Sequence, residues 1–322
     1  MPGWLFFDLE GPLSPEDCAF ELMGLFLKGK HVFEAVSRYD DLLYLKKGEE
    51  YVPGNALALI IPFLLRHGIS SQDMVKLAEE ARLIPGAHEI ISWAKARGWK
   101  VGCITTAYEP FATVLTRKLG IPQGNVVATK LPQDKNFPLS QEEINLIDKV
   151  VEEIDSLPPP DDSRIEEILG RFFAFDLPWT RLGKTAERVK PVGGQAKVKA
   201  IRRFSSSLAD CVAVGDSITD GAMLKEVRKE GGISIAFNAN EYALRESTVG
   251  LASTHISDLE PLLVAWEEGG RERVERAVKE KEGSEGDRPI FHWLPGKEDL
   301  SYIKEEHLRL RIFLRREAAL LS

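Results

Sequence analysis

Short, nearly continuous apolar segments recur along the chain, and each ends in small or polar residues. Runs of this kind are typical of strands that are buried on both faces of a parallel sheet. Helical patterns lie between them, as in residues 86–98 and 109–120. Alternating strands and helices predict an open α/β fold with a parallel sheet. The predicted strands are Trp4–Leu9, Lys100–Thr106, Asn125–Leu131, Asp210–Asp216 and Ile233–Asn238.

Polar residues stand at the ends of three of these predicted strands. Asp8 follows the apolar run "WLFF", Thr105 follows "GCI", and Asp216 follows "VAVG". Any one of them alone is an ordinary helix cap or turn residue. In an open α/β sheet, however, ligands bind at the carboxyl ends of the strands. We therefore expect the three side chains to share a site.

Two insertions and a tail interrupt the alternation. Residues 16–85 carry helical patterns without a clear strand and predict a helical cap after the first strand. Residues 135–186 predict a second helical insertion, in which two amphipathic stretches flank the helix breaker "DSLPPPDDS". The tail, residues 269–322, contains two helical runs whose mixed charges indicate solvated faces rather than a binding surface. The predicted core comprises the remaining residues, 1–15, 86–134 and 187–268.

Composition and charge exclude several classes of protein. The chain is 43% hydrophobic and 29% charged, which is typical of a soluble globular protein. Its net charge of -8 gives no general attraction to nucleic acid or to an anionic membrane, so an anionic ligand needs a local site. The apolar run at the N-terminus stops at Asp8, and the later run over residues 56–65 is too short to span a bilayer. We expect neither a nucleic-acid partner nor a membrane partner.

Cysteine usage points to the compartment. Cys18, Cys103 and Cys211 are far apart and show no metal-binding spacing. Isolated cysteines are most simply buried thiols in a reducing environment. The sequence therefore predicts a cytoplasmic protein.

Four motifs follow one another at the predicted strand ends. They are "DLEG" at 8–11, "CITTAY" at 103–108, the lysines of "KPVGGQAKVKAI" at 190–201, and "VAVGDSITDGAML" at 212–224. In this order they resemble the motifs of the haloacid dehalogenase (HAD) superfamily, and "GGQAK" and "GDSITDG" are similar to its phosphoserine phosphatase-like branch. The resemblance covers roughly residues 1–15, 86–131 and 190–255. It implies a HAD-like Rossmannoid core and does not extend to the second insertion or the tail.

The resemblance also implies a chemistry, the hydrolysis of phosphomonoesters through an aspartyl-phosphate. Asp8 would be the nucleophile, and Glu10 would act as acid towards the leaving oxygen and then as base for water. The branch commonly has Asp at the position of Glu10, whereas enolase-phosphatase-like relatives have a similar "DIEG". Thr105, with Thr106 beside it, would bind phosphate oxygens near a helix N-terminus.

A cation and a lysine complete the implied site. Mg²⁺ would be held by Asp8, the carbonyl of Glu10 and Asp216, and Asp220 would hold a metal-bound water or orient the lysine. Two lysines, Lys190 and Lys197, remain equal candidates, because Gln195 stands where the family pattern has its first lysine.

The substrate is predicted only as a small phosphorylated metabolite. Asp17 or Glu16 would meet an amino group in phosphoserine-directed relatives, but Arg66 at a helix end is no clear counterpart of their cap arginine. Phosphoryl transfer to a hydroxyl acceptor would use the same phosphoenzyme. The alternative is a non-catalytic accessory protein of a larger complex, such as an energy-converting hydrogenase, in which the tail and the second insertion would serve assembly. A homo-oligomer formed through the tail is a separate expectation about partners. No acidic motif residue is missing, which favours catalysis.

Overall fold

The computed structural model describes residues 3–48, 51–131, 138–157, 161–282 and 289–316. Within these ranges a seven-stranded sheet has the order β3-β2-β1-β4-β5-β6-β7. All neighbouring pairs are parallel except β6 with β7. The predicted α/β class and parallel sheet are confirmed. The strands are β1 (Trp4–Phe7), β2 (Lys100–Tyr108), β3 (Val126–Thr129), β4 (Cys211–Gly215), β5 (Ile233–Phe237), β6 (Val249–Ala252) and β7 (Ile290–Trp293).

Fifteen α-helices are present in the described ranges. None of them combines the length and the apolar character needed to cross a bilayer. They are α1 (Cys18–Met23), α2 (Gly29–Lys47), α3 (Ala56–Leu59), α4 (Ile61–Arg66), α5 (Ser71–Glu80), α6 (Ala87–Ala96), α7 (Glu109–Lys118), α8 (Gln141–Asp155), α9 (Asp162–Arg171), α10 (Arg181–Ala186), α11 (Gln195–Phe204), α12 (Gly221–Lys229), α13 (Glu241–Glu246), α14 (Glu260–Lys281) and α15 (Ser301–Arg315).

Strand β1 lies in the middle of the sheet and sets the position of the site. Phe7 is in register with Cys103 of β2 on one side and with Val214 of β4 on the other. The residues that follow Phe7 and Val214 therefore emerge at the same edge of the sheet. Because helices cover both faces, the strands are buried and can be apolar throughout.

The helical insertions pack against each other. Helices α1–α5 fall within the predicted cap, where the described residues contain no strand, and α8–α10 fall within the second insertion. Helices α8 and α9 contact α2. Arg66 of α4 binds Asp148 of α8 through two hydrogen bonds of 2.8 and 2.9 Å. The prolines of the predicted breaker, residues 158–160, lie outside the described residues, as do residues 132–137.

Sequence patterns did not predict β6 and β7. Strand β6, "VGLA", is only four residues long and contains a glycine, and β7, "IFHW", follows a long charged helix. Unlike the equally short β1, neither is an unbroken apolar run, because Gly250 interrupts β6 and His292 interrupts β7. They nevertheless extend the sheet towards the tail, because β7 runs antiparallel to β6.

The prediction of solvated faces for the tail holds for most residues of α15 but is wrong for one face of this helix. This helix packs on β6, and its residues His307, Arg311 and Arg315 are 0%, 2% and 7% exposed. The amide of Ala239 donates a hydrogen bond of 2.9 Å to Nδ1 of His307. One face of α15 is thus packed against the core. Residues 283–288 and 317–322 of the predicted tail lie outside the described residues.

Candidate active site

A buried lysine lies between two buried carboxylates at the edge of the sheet. Nζ of Lys197, in the first turn of α11, is 3.0 Å from Oδ2 of Asp8 and 2.6 Å from Oδ1 of Asp220. Burial alone would lower the pKa of Lys197, but the two carboxylates raise it above its ordinary value. Lys197 is therefore a fixed positive charge beside Asp8.

Asp8 itself follows β1 directly. Its Oδ1 accepts a hydrogen bond of 2.7 Å from the amide of Leu9, so the carboxylate has a defined orientation. Burial and the nearby Asp220 raise the pKa of Asp8 to about 7, against the opposing effect of Lys197. A bound divalent cation would favour the ionised form.

Asp220 holds both the lysine and the loop after β4. Its Oδ2 accepts hydrogen bonds from the amides of Asp216 and Ser217, at 3.0 and 3.1 Å, while Oδ1 faces Lys197. A Cβ atom on Gly215 would lie 2.5 Å from Cγ of Asp220, so the loop needs glycine there. Of the two roles expected for Asp220, this geometry fits the orientation of the lysine.

Asp216 is the third acid of the cluster, and its two oxygens differ. Oδ2 accepts hydrogen bonds from Nη1 of Arg311 and from Nη1 of Arg315, the latter at 2.8 Å. Oδ1 is buried and has no hydrogen-bond partner among the described residues. Gly11, with a φ of +100°, leaves room for this carboxylate, since a Cβ atom there would lie 2.3 Å from its Cγ.

The donor set fits a hard divalent cation. Asp8, Asp216 and Asp220 each offer an oxygen, and these atoms lie within 4.8 Å of one another. A buried carboxylate oxygen without a partner, as found on Asp216 in the described structure, calls for a counter-ion. Carboxylate oxygens suit Mg²⁺. Asp216 is the clearest ligand, because its Oδ1 has no hydrogen-bond partner in the described part of the chain, whereas the oxygens of Asp8 and Asp220 already accept from Lys197 and from backbone amides.

Glu10 and Asp17 lie at the entry to the cap. Oε1 of Glu10 accepts a hydrogen bond of 2.7 Å from the amide of Cys18. Burial, and then the charge of Asp17, raise the pKa of Glu10 well above its ordinary value. Asp17 caps α1 by accepting from the amide of Phe20 at 2.9 Å. Glu16, the alternative to Asp17, pairs instead with Arg82 at 2.7 Å.

The two threonines at the end of β2 have different surroundings. Thr105 is fully buried, and its Oγ1 accepts a hydrogen bond of 3.1 Å from the amide of Ala107. Thr106 donates to the carbonyl of Val192 at 3.1 Å and lines the cavity above Asp8. Thr106 is therefore one of the residues that line the cavity, and Thr105 is not.

This cavity, with a volume of about 60 Å³, is enclosed by the core, the cap and the tail. Sequence reasoning missed the polar lining residues outside the motifs and the cap entry, which are Ser37 and Asp40 of α2 and Arg315 of α15. Asp40 accepts hydrogen bonds from the hydroxyl of Tyr51 and the amide of Gly54, and burial raises its pKa to about 7. No motif marks these positions. The polar lining consists of Asp8, Glu10, Asp17, Ser37, Asp40, Thr106, Asp216, Ser217, Thr219 and Arg315.

The structure brings only one of the two candidate lysines to Asp8. Lys190 is exposed and lines a separate cavity of about 520 Å³, together with Lys199. The spacing of residues along α11 could have distinguished the two candidate lysines. Lys197 stands one turn before Ile201, on the face that is buried.

Solved structures share this architecture. Phosphoserine phosphatase in apo form superposes with a TM-score of 0.50 at 14% identity, over 81% of this chain and 98% of that one. A phospho-aspartyl intermediate analogue of phosphoserine phosphatase gives 0.50 at 16% identity, over 80% and 97%. The chain has a HAD fold of the phosphoserine phosphatase-like type. No protein-family model matches the sequence, and no curated protein matches it.

Another solved structure matches this chain over its full length. A gene product of Archaeoglobus fulgidus superposes with a TM-score of 0.86 at 27% identity, over 100% of this chain and 99% of that one. The alignment therefore includes the second insertion and the tail. This structural likeness extends over the whole chain, whereas the motif resemblance covers only the core.

Proposed function

We propose that this protein is a Mg²⁺-dependent phosphomonoesterase that acts on a small phosphorylated metabolite through an aspartyl-phosphate on Asp8. The observation that carries this proposal is the position of Lys197 between Asp8 and Asp220 at the carboxyl end of the central strand. A nucleophile beside a fixed cation, below a polar cavity, is the arrangement that attack on phosphorus requires.

The residues have separate tasks in the proposed reaction. A carboxylate oxygen of Asp8 forms a bond to phosphorus, the bond from phosphorus to the ester oxygen breaks, and Glu10 gives its proton to that oxygen. Glu10 then takes a proton from water, which attacks the phosphorus and releases inorganic phosphate and free Asp8. The raised pKa of Glu10 supports its role as the acid, because it favours the protonated form. Lys197 stabilises the negative charge that gathers between Asp8 and the phosphoryl group.

Mg²⁺, held by Asp8 and Asp216, would supply positive charge against the repulsion between carboxylates and a phosphate dianion. Phosphoserine is not favoured, because Arg66 is paired with Asp148 and does not line the cavity. Free thiols at Cys18, Cys103 and Cys211 support a cytoplasmic location. That the tail serves homo-oligomer assembly also stays a proposal.

The test is hydrolysis of p-nitrophenyl phosphate by the purified chain, with Mg²⁺ or with EDTA. We expect activity only with Mg²⁺, and its loss in a folded Asp8→Asn variant by about a thousandfold or more, since the nucleophile supplies several kcal/mol. Retention of more than about a tenth of the activity by this variant would exclude the aspartyl-phosphate. A panel of phosphorylated metabolites then identifies the substrate. Absence of turnover on the whole panel would favour the accessory-protein alternative.

A further inference from the structure

The tail delivers two guanidinium groups to the cluster of acids. Arg311 and Arg315 lie four residues apart on α15 and therefore share one face of the helix. Both donate to the same oxygen of Asp216. The docking of α15 on the sheet, with His307 bound to the amide of Ala239, fixes their position.

The two arginines are bound to different degrees. Arg311 donates to the carbonyl of Asp216 at 3.2 Å as well as to its carboxylate, and it is only 2% exposed. Arg315 donates to the same carboxylate and forms a longer ion pair with Asp17, at 3.9 Å. Of the pair, Arg315 is the one that lines the cavity, so its guanidinium is the one that an anion there would meet.

Arg315 also has hydrogen-bonding capacity to spare. Its Nε is buried without a hydrogen-bond partner in the described part of the chain. Its Nη2 lies 3.9 Å from Oδ2 of Asp17, too far for a hydrogen bond. The side chain lines the cavity that also contains Asp8 and Glu10. An anion in that cavity would meet a guanidinium whose donors are only partly used.

We propose that Arg315 binds the phosphate group of the substrate, so that the tail completes the active site. This inference rests on the proposed function and deepens it. A guanidinium presents several donors in a planar fork that matches the oxygens of a phosphate. The charge of Arg315 would offset part of the repulsion that Asp216 and Asp17 exert on the same anion.

The experiment measures the binding of inorganic phosphate to the full chain by calorimetry in the presence of Mg²⁺. We expect Arg315→Met to weaken phosphate binding by about tenfold to a hundredfold, the effect of one charge-assisted hydrogen bond. Arg309→Met is the matched control, because Arg309 is an exposed arginine of the same helix. Its phosphate affinity should equal that of the wild type. In hydrolysis, Arg315→Met should raise the KM for p-nitrophenyl phosphate.

A second readout separates contact with phosphate from an effect through Asp216. Mn²⁺ binding, followed by electron paramagnetic resonance without phosphate, should change by less than about threefold in Arg315→Met, since Arg311 still holds Asp216. Equal losses of Mn²⁺ and phosphate affinity would overturn the proposal. If the Met variant does not fold, Arg315→Gln gives the same decision, because it also removes the charge.

The outcomes test the role of Arg315 separately from the proposed phosphatase function. If the wild type binds phosphate and Arg315→Met binds it equally well, the role of Arg315 is refuted while the phosphatase proposal stands. If the wild type neither binds phosphate nor hydrolyses any phosphomonoester, the proposed function fails, and the role of Arg315 fails with it.

Discussion

Among single residues, Lys197 has the most demanding surroundings. It is fully buried, and its only charged contacts within 4 Å among the described residues are the carboxylates of Asp8 and Asp220. Removing the ammonium would leave two acids facing each other in the interior. The cost of breaking such a buried arrangement is about 3–5 kcal/mol. Lys197 thus contributes both to stability and to the proposed chemistry.

This gives a first prediction for a pair of variants. Lys197→Met should lower kcat for p-nitrophenyl phosphate by about a hundredfold or more, because its charge acts where negative charge develops. Lys190→Met, which changes an exposed lysine outside the cavity, should keep both the activity and the melting temperature. Steady-state kinetics on both proteins, with thermal melts as a folding check, decide the matter. Small and equal effects of the two changes would mean that neither lysine faces the phosphate.

A second prediction concerns Glu10. Glu10→Gln keeps an oxygen that can accept from the amide of Cys18, so the loop should keep its geometry. The variant should still form the aspartyl-phosphate from p-nitrophenyl phosphate, because nitrophenolate leaves with little protonation, but water should attack slowly. Rapid mixing should show a burst approaching one equivalent of nitrophenolate per site. Alkyl phosphates should give no burst of released alcohol, because an alkoxide needs a proton to leave. Near wild-type turnover of both substrate types would refute the acid-base role.

The residue scale also shows the limit of sequence reasoning. Asp8, Glu10, Asp216 and Asp220 belong to motifs that stand next to predicted strands, so their convergence could be predicted. Arg315 belongs to no motif, since a charged residue in an amphipathic helix is usually solvated. Only the tertiary packing of α15 against the acids distinguishes it from its exposed neighbours.

At the level of elements, α15 depends on a neutral histidine. Burial lowers the pKa of His307 from 6.5 to about 3, and the nearby ring of His292 acts in the same direction. Nδ1 of His307 must stay unprotonated to accept from Ala239. The stability that neutral His307 supplies is therefore present above about pH 6.5 and is lost as the pH falls from there towards about 3.

The third prediction follows from this sign. At about pH 5 His307 stays neutral in the folded protein but is protonated in the unfolded chain, which should cost about 2 kcal/mol of stability. His307→Gln, whose amide oxygen can still accept from Ala239, should lose less stability than the wild type between pH 7 and pH 5 in thermal melts. His88→Gln, at an exposed position, is the control and should follow the wild type. The comparison between variants matters, because the raised pKa values of Asp8 and Asp40 act in the opposite direction. Parallel curves for His307→Gln and wild type would contradict the prediction.

Elements were predictable to the extent that they carry a pattern of their own. The strands β1 to β5 are apolar runs between helical stretches, and each was predicted to within a few residues. By contrast, His292 interrupts the apolar run of β7, and the place of this strand in the sheet comes from pairing with β6. The burial of one face of α15 could not be predicted from its own sequence either, since it depends on the pairing of β7 with β6, which brings the following chain back to the sheet.

For the whole molecule, a cation bound at the cluster of acids should add to the stability of the fold. Our fourth prediction is that saturating Mg²⁺ raises the melting temperature. A ligand at a hundred times its dissociation constant adds about 2.7 kcal/mol to the stability. Asp216→Asn should abolish this shift. Asp210→Asn, an exposed acid at the opposite end of the same strand, should retain it. An equal Mg²⁺ effect in both variants would place the cation elsewhere.

The tail arginines have a further consequence for how the protein is made. Arg315 follows Asp216 by 99 residues. At about 5–20 residues per second, a ribosome needs on the order of 5–20 seconds to add them. During that interval the nascent chain already contains all three acids of the cluster, but of their basic partners only Lys197 has been translated. Dissolved cations are then the first counter-ions that Asp216 meets, and its own arginines arrive last.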